Sequence, residues 1–110
     1  MELGTEKIGD ITVVKVLTDV LDASNTEEFK ADIAAVFEKS KKVLFEMNQV
    51  KFIDSSGCGA LLYCLRQLNG SGGTLKLYGL QESVRTLFDL VRMHRIIEVF
   101  ETREEAVKSF

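Results

Sequence analysis

Twelve consecutive residues, Lys51 to Leu62 (KFIDSSGCGALL), concentrate the side chains capable of chemistry. A short apolar approach, Phe52 and Ile53, runs into an acid, two serines and two glycines flanking a cysteine, and then into an apolar helical pattern. Strand end, tight turn and helix start are compressed into this stretch. A hydroxyl at such a junction sits on the open backbone N–H groups of a helix N-terminus, where an anion is well received. Ser55 and Ser56 are therefore the candidates for chemistry.

The bland reading is that one of the two serines caps the helix, while Gly57 and Gly59 let its start pack closely. The pattern leaves open which serine would be the cap. A nucleophile elbow needs glycine two before and two after the serine. Ile53 and Gly57 flank Ser55, Asp54 and Cys58 flank Ser56, and the chain holds one histidine, His94, to act as base. Cys58 would gain thiolate character at a helix N-terminus, yet it shares an apolar stripe with Leu61, Leu62 and Leu65 and reads as core. A phosphate loop fails because Leu62 stands where a third glycine belongs and no Gly-Lys-Ser/Thr follows. Two cysteines and one histidine at these spacings make no metal site. Asp22 and Asp54 form a candidate carboxylate pair without a spacing that defines acid–base roles. Arg85, Arg92 and Arg95 read as a solvated helix face.

A length of 110 residues corresponds to one domain, 1–110, large enough to bury a core without staples. Composition is 45% apolar and 28% charged, and the net charge of −3 provides no basic face for a nucleic acid. Cys58 and Cys64 lie six apart in a helical segment, about 120° apart around the axis, which is a poor disulfide pair and fits a reducing compartment. MELGTEKIGD is not a signal peptide and no run reaches membrane-spanning length. The expected location is the cytoplasm, with no membrane and no nucleic-acid partner.

The elements that must position the serine turn can be read from periodicity and punctuation. Leu3–Ile8 and Ile11–Leu17 form strands joined at Gly9-Asp10 as an antiparallel hairpin. Ser24-Asn25-Thr26-Glu27 has the capping-box pattern and opens a helix burying Phe29, Ile33, Val36 and Phe37. Lys42–Met47 is a strand. The helix after the serine turn carries Cys58, Leu61, Leu62, Leu65 and Leu68 inward, with Tyr63, Arg66 and Gln67 opposite, and Asn69–Gly73 stops it. Thr74–Tyr78 is a strand, and Ser83–Val91 a helix with Val84, Leu87, Phe88 and Val91 on one side. Ile96–Phe100 is a strand, and Thr102–Glu105 caps a last helix with Ala106, Val107 and Phe110 inward. The order β(β)αβαβαβα argues for an α/β fold: a mixed β-sheet of four to five strands with about four helices.

The run Phe52-Ile53-Asp54-Ser55-Ser56-Gly57-Cys58-Gly59-Ala60-Leu61-Leu62 resembles the signature of the STAS domain family, and in particular its stand-alone bacterial anti-sigma factor antagonists of the SpoIIAA type. Leu21-Asp22, the strand Val43–Met47 followed by Val50, Gly72–Leu77 and Val84–Phe88 extend the likeness over nearly the whole chain. Cys58 stands where the family usually has leucine. Val91–Arg95 departs from the small, glycine-containing turn usual there.

The resemblance implies a single STAS-like domain that is a protein substrate rather than an enzyme. It implies partner switching: the unphosphorylated form binds an anti-sigma factor that is also a serine kinase, phosphorylation releases it, and a phosphatase resets it. Carried over by residue, Ser55 is the phosphorylation site, and Asp22, Asp54, Ser55, Ser56 and Gly57 form the partner-binding surface. No cofactor or metal is implied, and a monomer is expected. The competing reading is a constitutive STAS scaffold or sensor module in which Ser55 is structural.

Overall fold

The structure, a computed structural model, describes residues 1 and 3–110. Strands β1 (Leu3–Ile8) and β2 (Ile11–Val16) form the expected antiparallel hairpin, with Gly9 in the left-handed region (φ 60°) that the tight turn demands. β4 (Lys42–Glu46), β6 (Thr74–Tyr78) and β7 (Glu98–Phe100) add to β2 in parallel, giving a mixed sheet in the order β1-β2-β4-β6-β7. A separate parallel pair joins β3 (Val20–Leu21) to β5 (Phe52–Ile53). The sequence marks Phe52-Ile53 as the approach to a helix but gives no periodicity for two-residue strands, and β3 was not foreseen.

Four helices cover the sheet unequally. α1 (Thr26–Lys39), α2 (Ser55–Gly70) and α3 (Glu82–Val91) pack on one face, where Val14, Val43, Phe45, Leu75 and Leu77 meet Phe29, Ile33, Leu61, Leu68, Val84 and Phe88. Phe45 lies edge-on to Phe29 (centroids 5.8 Å apart) and stacks with Phe37 (6.4 Å). The other face holds a smaller cluster, Ile11, Val13, Leu44 and Tyr78, under α4 (Arg103–Ser109), from which Ala106, Val107 and Phe110 point inward as the spacing requires. Near-continuous apolar β4 and β6 follow from this burial on both faces.

Three local expectations need correction. The capping box at Ser24–Glu27 does not form. Asp22 captures Ser24 instead, its carboxylate accepting the Ser24 N–H (2.9 Å) and hydroxyl (2.5 Å), while Glu27 pairs with Lys30 (3.0 Å). Helix α1 therefore starts at Thr26, with Asn25 before it offering no side-chain cap. Val91 is half exposed rather than inward, because α3 ends there and Arg92 turns left-handed (φ 59°). Residues Met93–Arg95 make a turn of 3₁₀ helix, so the last strand starts at Glu98 rather than Ile96. Arg92 occupies a backbone region that favours glycine, the residue type the resemblance leads one to expect in this turn.

Candidate functional site

The serine turn is built where β3 and β5 end. Their parallel register sets Leu21 opposite Ile53, so Asp22 and Asp54 leave neighbouring strand ends, about 5 Å apart in the hydrogen-bonding direction. Backbone bonds brace the pair from behind: the Asp19 carbonyl accepts the N–H groups of Lys51 (2.7 Å) and Phe52 (3.1 Å). The Ser83 hydroxyl of α3 donates to the Lys51 carbonyl (2.5 Å).

Asp54, not a serine, is the N-cap. Its backbone is extended (φ −108°, ψ −171°) and its Oδ1 accepts the Gly57 N–H at 2.9 Å. An aspartate in this position both completes a first-turn donor and complements the positive end of the helix dipole. Ser55 and Ser56 follow as the first two helical residues, and both are exposed. The Ser55 hydroxyl has no hydrogen-bond partner among the described residues.

Gly57 locks the turn to the other strand. A Cβ there would lie 2.4 Å from the Leu21 carbonyl oxygen and 2.4 Å from the Ile53 side chain, so only glycine lets α2 press on β3. Gly59, by contrast, would have open space around a Cβ. Close packing thus accounts for one of the two glycines in the motif.

Asp22 is half buried, with its own N–H donating to Asn25 Oδ1 (3.0 Å). Hydrogen bonds from the Ser24 hydroxyl, then from its N–H, hold the Asp22 carboxyl below the ordinary carboxylate range. The site thus carries two carboxylates and two free hydroxyls around the start of α2, and all five residues singled out from the sequence come together. His94 lies elsewhere, its ring 3.8 Å from Asp89 after α3. Cys58 is buried, and burial, then the Asp54 charge, raises its thiol pKa, the opposite of what a nucleophile needs. Cys64 is pushed up to about 12, chiefly by burial.

Sequence reasoning missed a cleft of about 480 Å³ beside Ser56, between α1 and α2. Lys30, Gly59, Tyr63 and Arg66 line it, with the Lys30 ammonium 4.9 Å from the Tyr63 ring centre. Ser56, Gly59 and Tyr63 recur at three and four residues, the helical spacing that could have revealed a shared face. Phe52, 54% exposed at the strand end, also marks this edge as apolar surface.

A mixed sheet of this order, with a braced parallel strand pair presenting an acid-capped serine at a helix start, defines a class of small α/β domain. The STAS domain profile matches residues 2–106, and the chain belongs to that family. BtrV of Bordetella bronchiseptica, which carries the name anti-sigma factor antagonist, is 30% identical over 111 residues, spanning 100% of this chain and 95% of BtrV. Among solved structures, TM1081 of Thermotoga maritima superposes with a TM-score of 0.86 at 23% identity, covering 97% of this chain and 92% of that one. Unphosphorylated SpoIIAA superposes at 0.77 and 22% identity (98% and 95% covered), and its phosphorylated form at 0.70.

Proposed function

We propose that this chain is an anti-sigma factor antagonist controlled by phosphorylation of Ser55. The observation that carries this reading is the division of labour at the turn: Asp54 makes the cap and Ser55, next to it, keeps an exposed and uncommitted hydroxyl. The names of its relatives and the existence of a phosphorylated SpoIIAA structure support the same direction. Residues 1–110 act as one domain in the cytoplasm. The unphosphorylated form binds an anti-sigma factor that is also a serine kinase, through Asp22, Asp54, Ser55, Ser56 and Gly57, and so frees the sigma factor. Transfer of a phosphoryl group from ATP to the Ser55 hydroxyl releases the chain, and a phosphatase restores it. The chain is the substrate of these reactions, and a monomer suffices for them.

The test is to incubate the purified chain with the cognate kinase and ATP, and to record intact mass and the modified residue. A gain of about 80 Da, one phosphoryl group, on Ser55 and absent in Ser55→Ala is the expected result. Ser55→Asp should weaken kinase binding at least about tenfold, whereas Ser55→Ala should still bind. Stable binding with no mass change would overturn the phospho-switch in favour of a constitutive scaffold.

A further inference from the structure

At the opposite end of α1 from the serine turn, a second polar site is built into the fold. Thr12 and Ser40 are 5% and 7% exposed, and their hydroxyl oxygens lie 2.6 Å apart. On that face of β2 the other positions are Val14 and Val16, so valine at Thr12 would fit the core without a polar cost. The Lys7 ammonium on β1 donates to the Thr12 hydroxyl at 3.2 Å.

Counting protons shows what is left over. The two hydroxyls share one hydrogen bond, so whichever donates, one O–H proton lacks an acceptor among the described residues. Lys7 spends one of its three N–H donors there. These donors face a cleft of about 410 Å³ between β1 and the last turns of α1, which Thr5 and Lys39 also line. The neighbouring carboxylates are paired: Asp10 with Lys42 (2.9 Å), and Glu6, which also lines the cleft, with Arg103 (3.1 Å). Lys39 lines the cleft beside Lys7, so two ammonium groups border it in a chain of net charge −3.

We propose that this cleft binds the phosphate group of a small phosphorylated molecule. A tetrahedral oxyanion offers acceptors in several directions, matching donors arriving from β1, β2 and α1; a planar carboxylate would meet fewer of them. The cleft extends beyond a bare phosphate and admits a small organic group. The C-terminal end of α1 contributes partial negative charge, which Lys7 and Lys39 must offset. This site is independent of Ser55 and of the partner that reads it.

The full chain, ¹⁵N-labelled, is titrated with inorganic phosphate and separately with glucose 6-phosphate, at ionic strength held constant with sodium chloride. Saturable amide shifts are expected at Thr5, Lys7, Thr12 and Ser40, and Lys7→Ala, an exposed substitution, should weaken binding about tenfold. Tighter binding of glucose 6-phosphate identifies an organic phosphomonoester as the ligand class, and equal binding identifies phosphate itself. Shifts that never saturate, that saturate only at Gly57 to Gly59, or that ignore Lys7→Ala would overturn the site.

Discussion

Gly57 and Gly59 stand two residues apart in one helix, and the same substitution should move stability in opposite directions. Replacing glycine by alanine inside a helix ordinarily gains about 1 kcal/mol, because the chain has less freedom to lose. Nothing lies within 4 Å of a Cβ at Gly59, so Gly59→Ala should keep that gain. At Gly57 the new methyl meets the Ile53 side chain and the Leu21 carbonyl, both at 2.4 Å. Ile53 could change rotamer, but Leu21 is backbone of β3 and moves only if the β3–β5 pair moves with it. Overpacking of this kind costs about 1–3 kcal/mol, and a backbone obstacle belongs near the top of that range. Subtracting the helical gain leaves Gly57→Ala destabilised by about 1–2 kcal/mol. Urea denaturation at constant m-value reads both, and the two variants should differ by roughly 2–3 kcal/mol. Equal shifts, or a neutral Gly57→Ala, would show that α2 can slide away from β3 and that the turn is not locked. Gly59→Ala carries a second reading: a variant more stable than the parent yet deficient in partner binding would mean that this glycine leaves room for the partner.

Asp54→Ala should lose about 1 kcal/mol with its bond to the Gly57 N–H, while Ser55→Ala should stay within about 0.5 kcal/mol of the parent; a larger loss for Ser55→Ala in thermal melts would contradict the cap assignment. Ellman's reagent should titrate neither Cys58 nor Cys64 in the native state and both in urea, since burial raises both thiol pKa values. The Glu6 carboxyl is lowered from its ordinary value first by the hydrogen bond from Arg103 and then by its charge. Its contribution is therefore present above the unfolded carboxyl pKa and is lost as pH falls through the folded one. The stability gap between the parent and Glu6→Gln should shrink on acidification from pH 6 to pH 3, and a gap that widens would refute the pairing.

Where one physical signal dominated, the fold was legible in the residues. The hairpin at Gly9-Asp10, the strand Thr74–Tyr78 and the capped helix after Thr102 follow from turn chemistry and periodicity that no distant contact opposes. Thr102 does cap its helix: its hydroxyl accepts the Glu105 N–H (3.2 Å) and donates to the Glu105 carboxylate (3.1 Å). Ser24-Asn25-Thr26-Glu27 has the same pattern but sits beside Asp22, which competes for Ser24, and local sequence does not reveal that competitor. The serine turn was legible as a place, since all five residues gather there. Its wiring was not, because Asp, Ser and Ser are all good caps and only the strand geometry before them decides which one faces the Gly57 N–H. Pairing of β3 with β5 was hidden for a related reason: two residues are too few to show a period, and their partner lies about thirty residues away.

That wiring has a consequence for how Ser55 could act as a switch. Had the serine been the cap, a phosphate on its oxygen would have had to rebuild the first-turn hydrogen bond through its own oxygens. With Asp54 in that place, the Gly57 N–H is satisfied by the Asp54 carboxylate and the Cys58 N–H by its carbonyl (3.0 Å), whatever happens at Ser55. A phosphate there would meet the remaining first-turn N–H groups and the positive helix end, a gain of about 0.3–1 kcal/mol. Against this stands repulsion from Asp54 and Asp22, about 1 kcal/mol per pair of unit charges 4 Å apart in water. With about −1.5 to −2 charges facing two carboxylates, the repulsion outweighs that gain by up to a few kcal/mol at such distances, less where water and salt screen the exposed turn, while the Asp54 cap itself stays in place. Closing a partner over the turn would change the balance, because the same pair costs about 4 kcal/mol at a surface-like dielectric, about 3 kcal/mol more than in water and so roughly a hundredfold in affinity. A phosphate on Ser55 would thus cost the free chain less than a complex closed over it, and it is the neighbouring aspartate that would make this separation possible by relieving the serine of capping duty.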